Sequence, residues 1–381
     1  SSFKTAYGCN PEIMVKGPGR VDLMGNHTDY NDGYVLPVAL NVDVIAAGKK
    51  RDDGIVRIMS TDIPGQSEFS VESIEKSRKS SWTNYVRGVL LYIQEKGYKI
   101  GGADIVVSST VPIGSGLSSS AALEMASGYL FQTMYDLDIP PVDLALIGQK
   151  AENKFVGVNT GIMDQFISRL GKKDQALFID CRTFEYDHVP LDSHKVKMVI
   201  CDTKKQRGLV GSEYDTRREQ CNEAVRLLSA KLKEIKALRD VDSTALEANR
   251  SLLPDVVAKR AEHVVYENKR VIDGCEMLRQ GNYEGFGVLM NESHVSAASL
   301  YEVSCFELES MVKASLDVKG VLSARLAGAG FGGCTVSLVL PDAVDEFVNY
   351  VPKEYKRLTG IDGAIYVCDA EDGASKIQFD L

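Results

Sequence analysis

One stretch constrains this chain more than any other: a β-rich run at 104–110, centred on Ile105-Val106-Val107, leads straight into Val111-Pro112-Ile113-Gly114-Ser115-Gly116-Leu117-Ser118-Ser119-Ser120-Ala121-Ala122-Leu123-Glu124. The run predicts a strand, the two glycines a turn, and the small residues after Leu117 a helix through about Tyr135. A strand that enters a Gly-x-Gly turn and leaves through three serines presents consecutive backbone N–H groups and hydroxyls to one point, which suits a phosphate. No Gly-Lys-Ser/Thr follows, so this is not a Walker A loop, and the dinucleotide pattern G-x-G-x-x-G is incomplete. A Gly/Ser helix cap without a ligand is the plain alternative; three hydroxyls at a helix start favour the ligand.

Two further glycine clusters share this character. Residues 17–37 pack Arg20, Asp22, Asn26, His27, Asp29 and Asp32 among glycines before the apolar run 35–40, a polar density suited to a polyhydroxylated ligand. Around Phe331, Ala327 to Gly330 precede and Gly332-Gly333 follow; each glycine costs backbone entropy, so close approach of a ligand is the expected reason. Asp164, in Gly161-Ile162-Met163-Asp164-Gln165-Phe166, is a carboxylate among large apolar residues. Such an acid is expensive to bury unless paired, which makes a general base with Arg20 as partner attractive against the simpler reading of a helix N-cap. Two Gly-rich loops and one buried acid suggest phosphoryl transfer to an alcohol, where positioning and charge neutralisation carry most of the catalysis.

Composition narrows the partners. With Lys+Arg 44 against Asp+Glu 53 the formal net charge is −9, which argues against nucleic acid held by a general positive field. No segment approaches the roughly 18 apolar residues of a membrane span. The eight cysteines show no C-x-x-C pair and the five histidines no H-E-x-x-H, so neither a disulfide framework nor a transition-metal site is expected. No charged n-region and apolar h-region opens the sequence, and a reducing, cytoplasmic setting is expected.

A length of 381 residues suggests two domains sharing a cleft. The pattern reads as α+β, with residues 1–175 carrying the 17–37 cluster and the Gly/Ser loop and 176–381 the third Gly-rich segment. Runs 42–49 and 55–59 about Asp53-Gly54 predict a β-hairpin. Helices are predicted from Asn84 to Gly97, from Pro141 to about Phe155, over the charged stretch 212–238, and over 256–280 and 304–318, the last with a Ser304-x-x-Glu307 capping box. Strands are predicted at 176–180, 196–201 and 334–340.

Gly17-Pro18-Gly19-Arg20-Val21-Asp22-Leu23-Met24-Gly25-Asn26-His27-Thr28-Asp29-Tyr30, the 111–124 loop and the 325–335 loop resemble, in order and spacing, the three motifs of the galactokinase branch of the GHMP sugar and metabolite kinases. Similar segments run from Trp82-Thr83-Asn84-Tyr85 to the tail Asp372-Gly373-Ala374. The resemblance implies a GHMP kinase fold of two domains, with mixed sheets and helices around a central cleft, and transfer of the ATP γ-phosphoryl to the anomeric hydroxyl of a galactose-type sugar. Asp164 then matches the catalytic acid and Arg20 the arginine beside it, which neutralises charge in the transition state. Ser120 and Glu152 match Mg²⁺ ligands. Gly114, Ser115, Gly116, Leu117, Ser118, Ser119 and Ser120 match the ATP-phosphate loop, and Trp82 the adenine-side aromatic, with a core role as its alternative. His27, Asp29, Gly161 and Tyr214 match the sugar-binding positions.

Three departures stand out. The family motif reads Gly-Glu-His, with the Glu accepting from the sugar's C6 hydroxyl, where this chain has Gly25-Asn26-His27. Asn26 accepts through its amide oxygen without a charge, which keeps galactose and opens galacturonate or a pentose as alternatives. On the motif alone, Asn26→Glu is expected to raise galactose turnover. Asp22 replaces the usual Asn, and Ala297-Ala298-Ser299 replaces Leu-Arg-Asp. A non-catalytic sugar sensor is the reading from another class, against which the serine loop is complete.

Overall fold

The computed structural model describes residues 2–112, 114, 116–205 and 210–379. A short helix α1 (Ser2–Tyr7) leads into the first sheet, built from β1 (Ile13–Met24), β2 (Tyr34–Arg51), β3 (Ile55–Ser60), β4 (Gln66–Ser70), β5 (Gly102–Ser109), β6 (Gln175–Asp180) and β7 (Tyr186–Pro190). Helices α2 (Thr83–Glu95), α3 (Ser119–Met134), α4 (Pro141–Lys150) and α5 (Met163–Leu170) lie between β4 and β6 in sequence and pack with this sheet into one core. Then come β8 (Lys197–Asp202), α6 (Val210–Leu228), α7 (Ser243–Asn249), α8 (Asp255–Arg279), α9 (Tyr283–Ser299), α10 (Phe306–Leu316), β9 (Val321–Leu326), β10 (Cys334–Val339), α11 (Val344–Thr359), β11 (Ala364–Cys368) and β12 (Ser375–Lys376).

The first sheet runs β12-β1-β2-β5-β3-β4, with β6 on β2 and β7 on β6; the second runs β11-β8-β10-β9. The mixed α/β architecture forms two domains, and the chain crosses between them twice, because β12 returns from the second sheet to pair with β1. The division expected at 175/176 falls at the start of β6, whose Ile179 pairs with Val35 of β2. Helix α3 forms where the sequence places it, and small apolar residues on nearly every face fit it to a buried layer. Pro141 opens α4 at the position where a missing N–H costs nothing.

Three local expectations are corrected. Residues 42–49 and 55–59 do not form a hairpin: β5 lies between them, antiparallel to β2 and parallel to β3. Buried Asp104 of β5 explains the insertion, accepting from Arg51 of β2 (3.2 Å) and from Arg57 of β3 (2.7 Å) and so joining the flanking strands through itself. The helix predicted over 212–238 ends at Leu228, and the chain passes Glu234 at φ 71° before a 3₁₀ turn at Leu238–Asp240. This bend returns Leu232, Ile235 and Leu238 to the same apolar cluster as Leu228, burial that a continued charged helix would forgo. The capping box at Ser304 does not form either: Cys305 is the N-cap of α10, the Ser304 hydroxyl donates to Glu309, and Glu307 is drawn to Lys205 at 2.8 Å.

Candidate active site

A cavity of about 840 Å³ lies between the domains. Its lining draws on β1 (Arg20, Asp22), the following loop (Gly25 to Asp29), the Gly/Ser loop and start of α3, the 152–164 segment, Tyr214 of α6, and Gly328-Ala329. These positions are far apart in sequence, and the fold brings them to one place.

At its centre, Arg20 Nε donates to Asp164 Oδ1 at 2.7 Å and Nη2 to Oδ2 at 2.8 Å, a bidentate pair. The third guanidinium nitrogen, Nη1, donates to the Gly116 carbonyl at 2.6 Å, which ties the pair to the Gly/Ser loop. Asp164 is not the N-cap; Ile162 is, and Asp164 sits in the first turn of α5, where a negative charge meets the positive end of the helix dipole. Ser118, expected among the phosphate-loop residues, is the left-handed N-cap of α3 and gives its hydroxyl to Asp164 Oδ2. Oδ1 accepts only Arg20 Nε among the described residues, leaving it acceptor capacity for a ligand hydroxyl.

Gly114, Gly116, Leu117, Ser119 and Ser120 line the cavity, with the N-terminus of α3 beside them. Ser115 lies outside the described residues. Glu152 belongs to a π-helical turn at Ala151–Val156 that continues α4, a distortion frequent at functional sites. Its carboxylate accepts from the Thr160 hydroxyl (2.7 Å) and from Gln165 Nε2 (2.8 Å), and the Ser120 hydroxyl beside it favours its charged form. Burial raises its pKa, and the neighbouring Asp164 adds to the shift. Gln165 Nε2 also reaches the fully buried Glu124 at 2.9 Å, whose pKa burial and Glu152 push well above the usual range. Ser120 and Glu152 therefore set two hard oxygen donors on the cavity wall, where the charge of Asp164 already acts against that of Glu152. That chemistry fits a Mg²⁺ ion held by one carboxylate, one hydroxyl and substrate phosphates.

Around the other end, Asp29 lies against Gly161 so closely that any Cβ at 161 would overlap its carboxylate, which is why glycine stands there. Burial and the charge of Asp164 raise the Asp29 pKa to about 6. His27, at φ 60°, has its ring nitrogens within 2.8 Å of the Tyr30 hydroxyl and 3.1 Å of the Ala329 carbonyl. The carbonyl only accepts, so Nε2 carries the proton and Nδ1 takes the Tyr30 hydroxyl; burial lowers the His27 pKa to about 3, keeping the ring neutral. Tyr214 completes the wall, its ring centre 5.5 Å from that of His27. Trp82, half-buried against the first core at the start of α2, does not line the cavity.

Asn26 donates Nδ2 to the Gly328 carbonyl at 2.6 Å, while its Oδ1 is buried without a partner among the described residues. The third Gly-rich loop is only partly explained by a ligand. Gly328 and Ala329 line the cavity, but Gly330, at φ 79°, packs on the Val303 carbonyl, where a Cβ would collide. Nothing in the structure explains Ala297-Ala298-Ser299.

The motifs did not single out Glu124, Thr160, Gln165 or Glu267. Gln165 and Glu124 sit inside quoted motif segments, but only contact geometry reveals them as supports of Glu152.

Family models match at residues 1–50 (galactokinase galactose-binding signature), 84–172 (GHMP kinases N terminal domain) and 276–357 (GHMP kinases C terminal). A galactokinase of Roseiflexus sp. (strain RS-1) is 45% identical over 376 residues, spanning 99% of this chain and 96% of that protein. A galactokinase of Chloroflexus aurantiacus is 43% identical over 98% of this chain and 96% of its own. The crystal structure of Lactococcus lactis galactokinase complexed with galactose superposes with a TM-score of 0.95 at 35% identity, covering 99% of this chain and 98% of that one. A mevalonate kinase at 19% identity and TM-score 0.68 shares the fold.

Proposed function

The chain belongs to the galactokinase family of the GHMP kinases, and on that premise we propose that it transfers the γ-phosphoryl group of ATP to the C1 hydroxyl of galactose, yielding galactose 1-phosphate and ADP. The observation that carries this reading is the Arg20–Asp164 pair, fixed to the Gly/Ser loop through Gly116 and Ser118, in a cavity lined by both domains.

Asp164 Oδ1 accepts the proton of the C1 hydroxyl as its oxygen attacks Pγ and the bond to the β,γ-bridging oxygen breaks. Arg20 offsets the negative charge that develops. The N-terminus of α3 and the loop from Gly114 to Ser119 hold the phosphates. Ser120 and Glu152 would hold Mg²⁺, which supplies positive charge to the phosphate oxygens. Asp29, His27, Gly161 and Tyr214 form the sugar end, while Trp82, packed against the core, takes the structural role that was its alternative. Residues 1–175 carry the sugar motif and the Gly/Ser loop and residues 176–381 the third Gly-rich loop, and the setting is the cytoplasm. No helix among the described residues is long and apolar enough to cross a membrane.

Asn26 favours galactose over galacturonate. Its Nδ2 is committed to the Gly328 carbonyl, so the amide atom left without a partner is the buried Oδ1, an acceptor that suits a C6 hydroxyl and repels a C6 carboxylate.

Assays of the purified protein with ATP and galactose, galacturonate, arabinose or N-acetylgalactosamine test this. Galactose is expected to turn over fastest, and Asp164→Ala to lose about 10³-fold in kcat while still binding the sugar. Turnover of galacturonate but not galactose overturns the substrate; undiminished turnover by Asp164→Ala overturns the mechanism.

A further inference from the structure

Asp22 and Asn26 are the two departures from the family motif at the sugar end, and the structure puts both on one residue of the opposite domain. Asp22 Oδ1 accepts the Gly328 N–H at 2.6 Å, and Asn26 Nδ2 donates to the Gly328 carbonyl at 2.6 Å. Gly328 is thus gripped at both of its backbone polar groups by side chains from β1 and the loop after it. Behind the grip lies Arg325 of β9, fully buried, whose Nη1 meets Asp22 Oδ2 at 3.2 Å, the Asp22 carbonyl at 3.1 Å and the Leu23 carbonyl at 2.8 Å. Arg325 Nε and Nη2 have no partner among the described residues, which makes the Asp22 charge its direct compensation.

A buried guanidinium stripped of its carboxylate is strongly unfavourable, and so is a second carboxylate forced beside the first. We infer that Asp22 and Asn26 form one coupled unit, in which the carboxylate the family motif carries at position 26 stands instead at position 22, and that Asp22 is the positioning residue that sets Asn26 against the sugar. Asn26 is then the consequence of moving a charge rather than a sign of a different sugar. Asn26→Glu alone removes the donor to Gly328 and sets its carboxylate against both that carbonyl and Asp22. It lowers galactose kcat/KM, the reverse of what the motif alone predicts. Asp22→Asn alone takes from Arg325 its directly paired carboxylate, leaving only the influence of Glu267, and loosens Gly328. The double variant restores one carboxylate to the unit.

This inference rests on the assignment of the sugar to the Asn26 end, and a double-mutant cycle separates the two. In wild type, Asp22→Asn, Asn26→Glu and the double variant, KM for galactose, KM for ATP, kcat and thermal midpoint are measured. Each single change is expected to raise the galactose KM about tenfold or more with the ATP KM within about twofold, and the double variant to return within about threefold of wild type. If Asp22→Asn fails to fold, the double variant must still melt higher and bind galactose more tightly than Asn26→Glu. Single effects that simply multiply in the double variant, or an Asn26→Glu enzyme better than wild type on galactose, overturn the coupling. A wild type inactive on galactose instead overturns the substrate assignment.

Discussion

Asp29 shows how a single side chain trades stability for readiness to bind. Its carboxylate is raised from 3.8 to about 6 by burial and by Asp164. Between those values the folded state binds more protons than the unfolded one, so stability falls as pH rises through that window. Asp29→Asn removes the ionised form. The ligand-free variant is expected to be more stable than wild type by about 1 to 2 kcal/mol at about pH 7.5, with the difference shrinking as pH falls toward about 4, while galactose turnover drops. Urea titrations at several pH values check this, and a variant less stable than wild type at neutral pH contradicts it. The residues also mark a limit of motif reading. Position 161 reads as a sugar-binding glycine, yet its closest neighbour is Asp29, for which it makes room.

At the scale of an element, α8 is the template for the loop that carries Asn26 and His27. Glu267, fully buried, accepts the N–H groups of Gly25 (2.9 Å) and Asn26 (3.3 Å) and the hydroxyl of Ser293 (2.6 Å), and pairs with Arg270 at 2.7 Å. His263 meets the Asn26 carbonyl at 3.0 Å, and Asn268 takes the N–H of Tyr34 at 2.9 Å. Burial opposes the Glu267 charge, but Arg270, His263 and Arg325 outweigh it and hold its pKa below the usual carboxylate range. Glu267→Ala leaves two backbone donors and Arg270 unsatisfied. It is expected to cost about 3 to 5 kcal/mol and to raise the galactose KM more than the ATP KM. Chemical denaturation and steady-state kinetics measure both; an equal rise in the two KM values counts against the template role. The periodicity of 256–280 predicts the helix correctly but is silent on this function, because a polar residue inside an apolar stripe shows its partners only after packing.

Over the whole molecule, the acidic balance of −9 continues into the cavity, where Asp22, Asp29 and Asp164 lie around Arg20 and Glu152 stands near Asp164, with Glu124 just behind. A ligand spanning both domains and bringing positive charge relieves that crowding. Saturating Mg²⁺ with ATP is expected to raise the thermal midpoint by about 3 °C, and ATP with a chelator by clearly less. Differential scanning calorimetry reads the shift, and equal shifts with and without the cation argue against Ser120 and Glu152 as its ligands.

Most of the elements, and the phosphate-binding character of the Gly/Ser loop, could be read from local residue patterns alone. Strand, Gly-x-Gly turn and serine-led helix are local patterns whose geometry follows from neighbouring residues, and the motif order was enough to identify the family. What depends on partners distant in the chain came only from packing. It set β5 between β2 and β3 through Asp104, bent the charged helix after Leu228 so that Leu232, Ile235 and Leu238 could be buried, and joined Asp22 and Asn26 to Gly328 across some three hundred residues. Asn26 marks the division most clearly. Its identity was legible in the sequence, but which of its two amide atoms is left without a partner depends on a carbonyl that only the folded chain brings within hydrogen-bond distance.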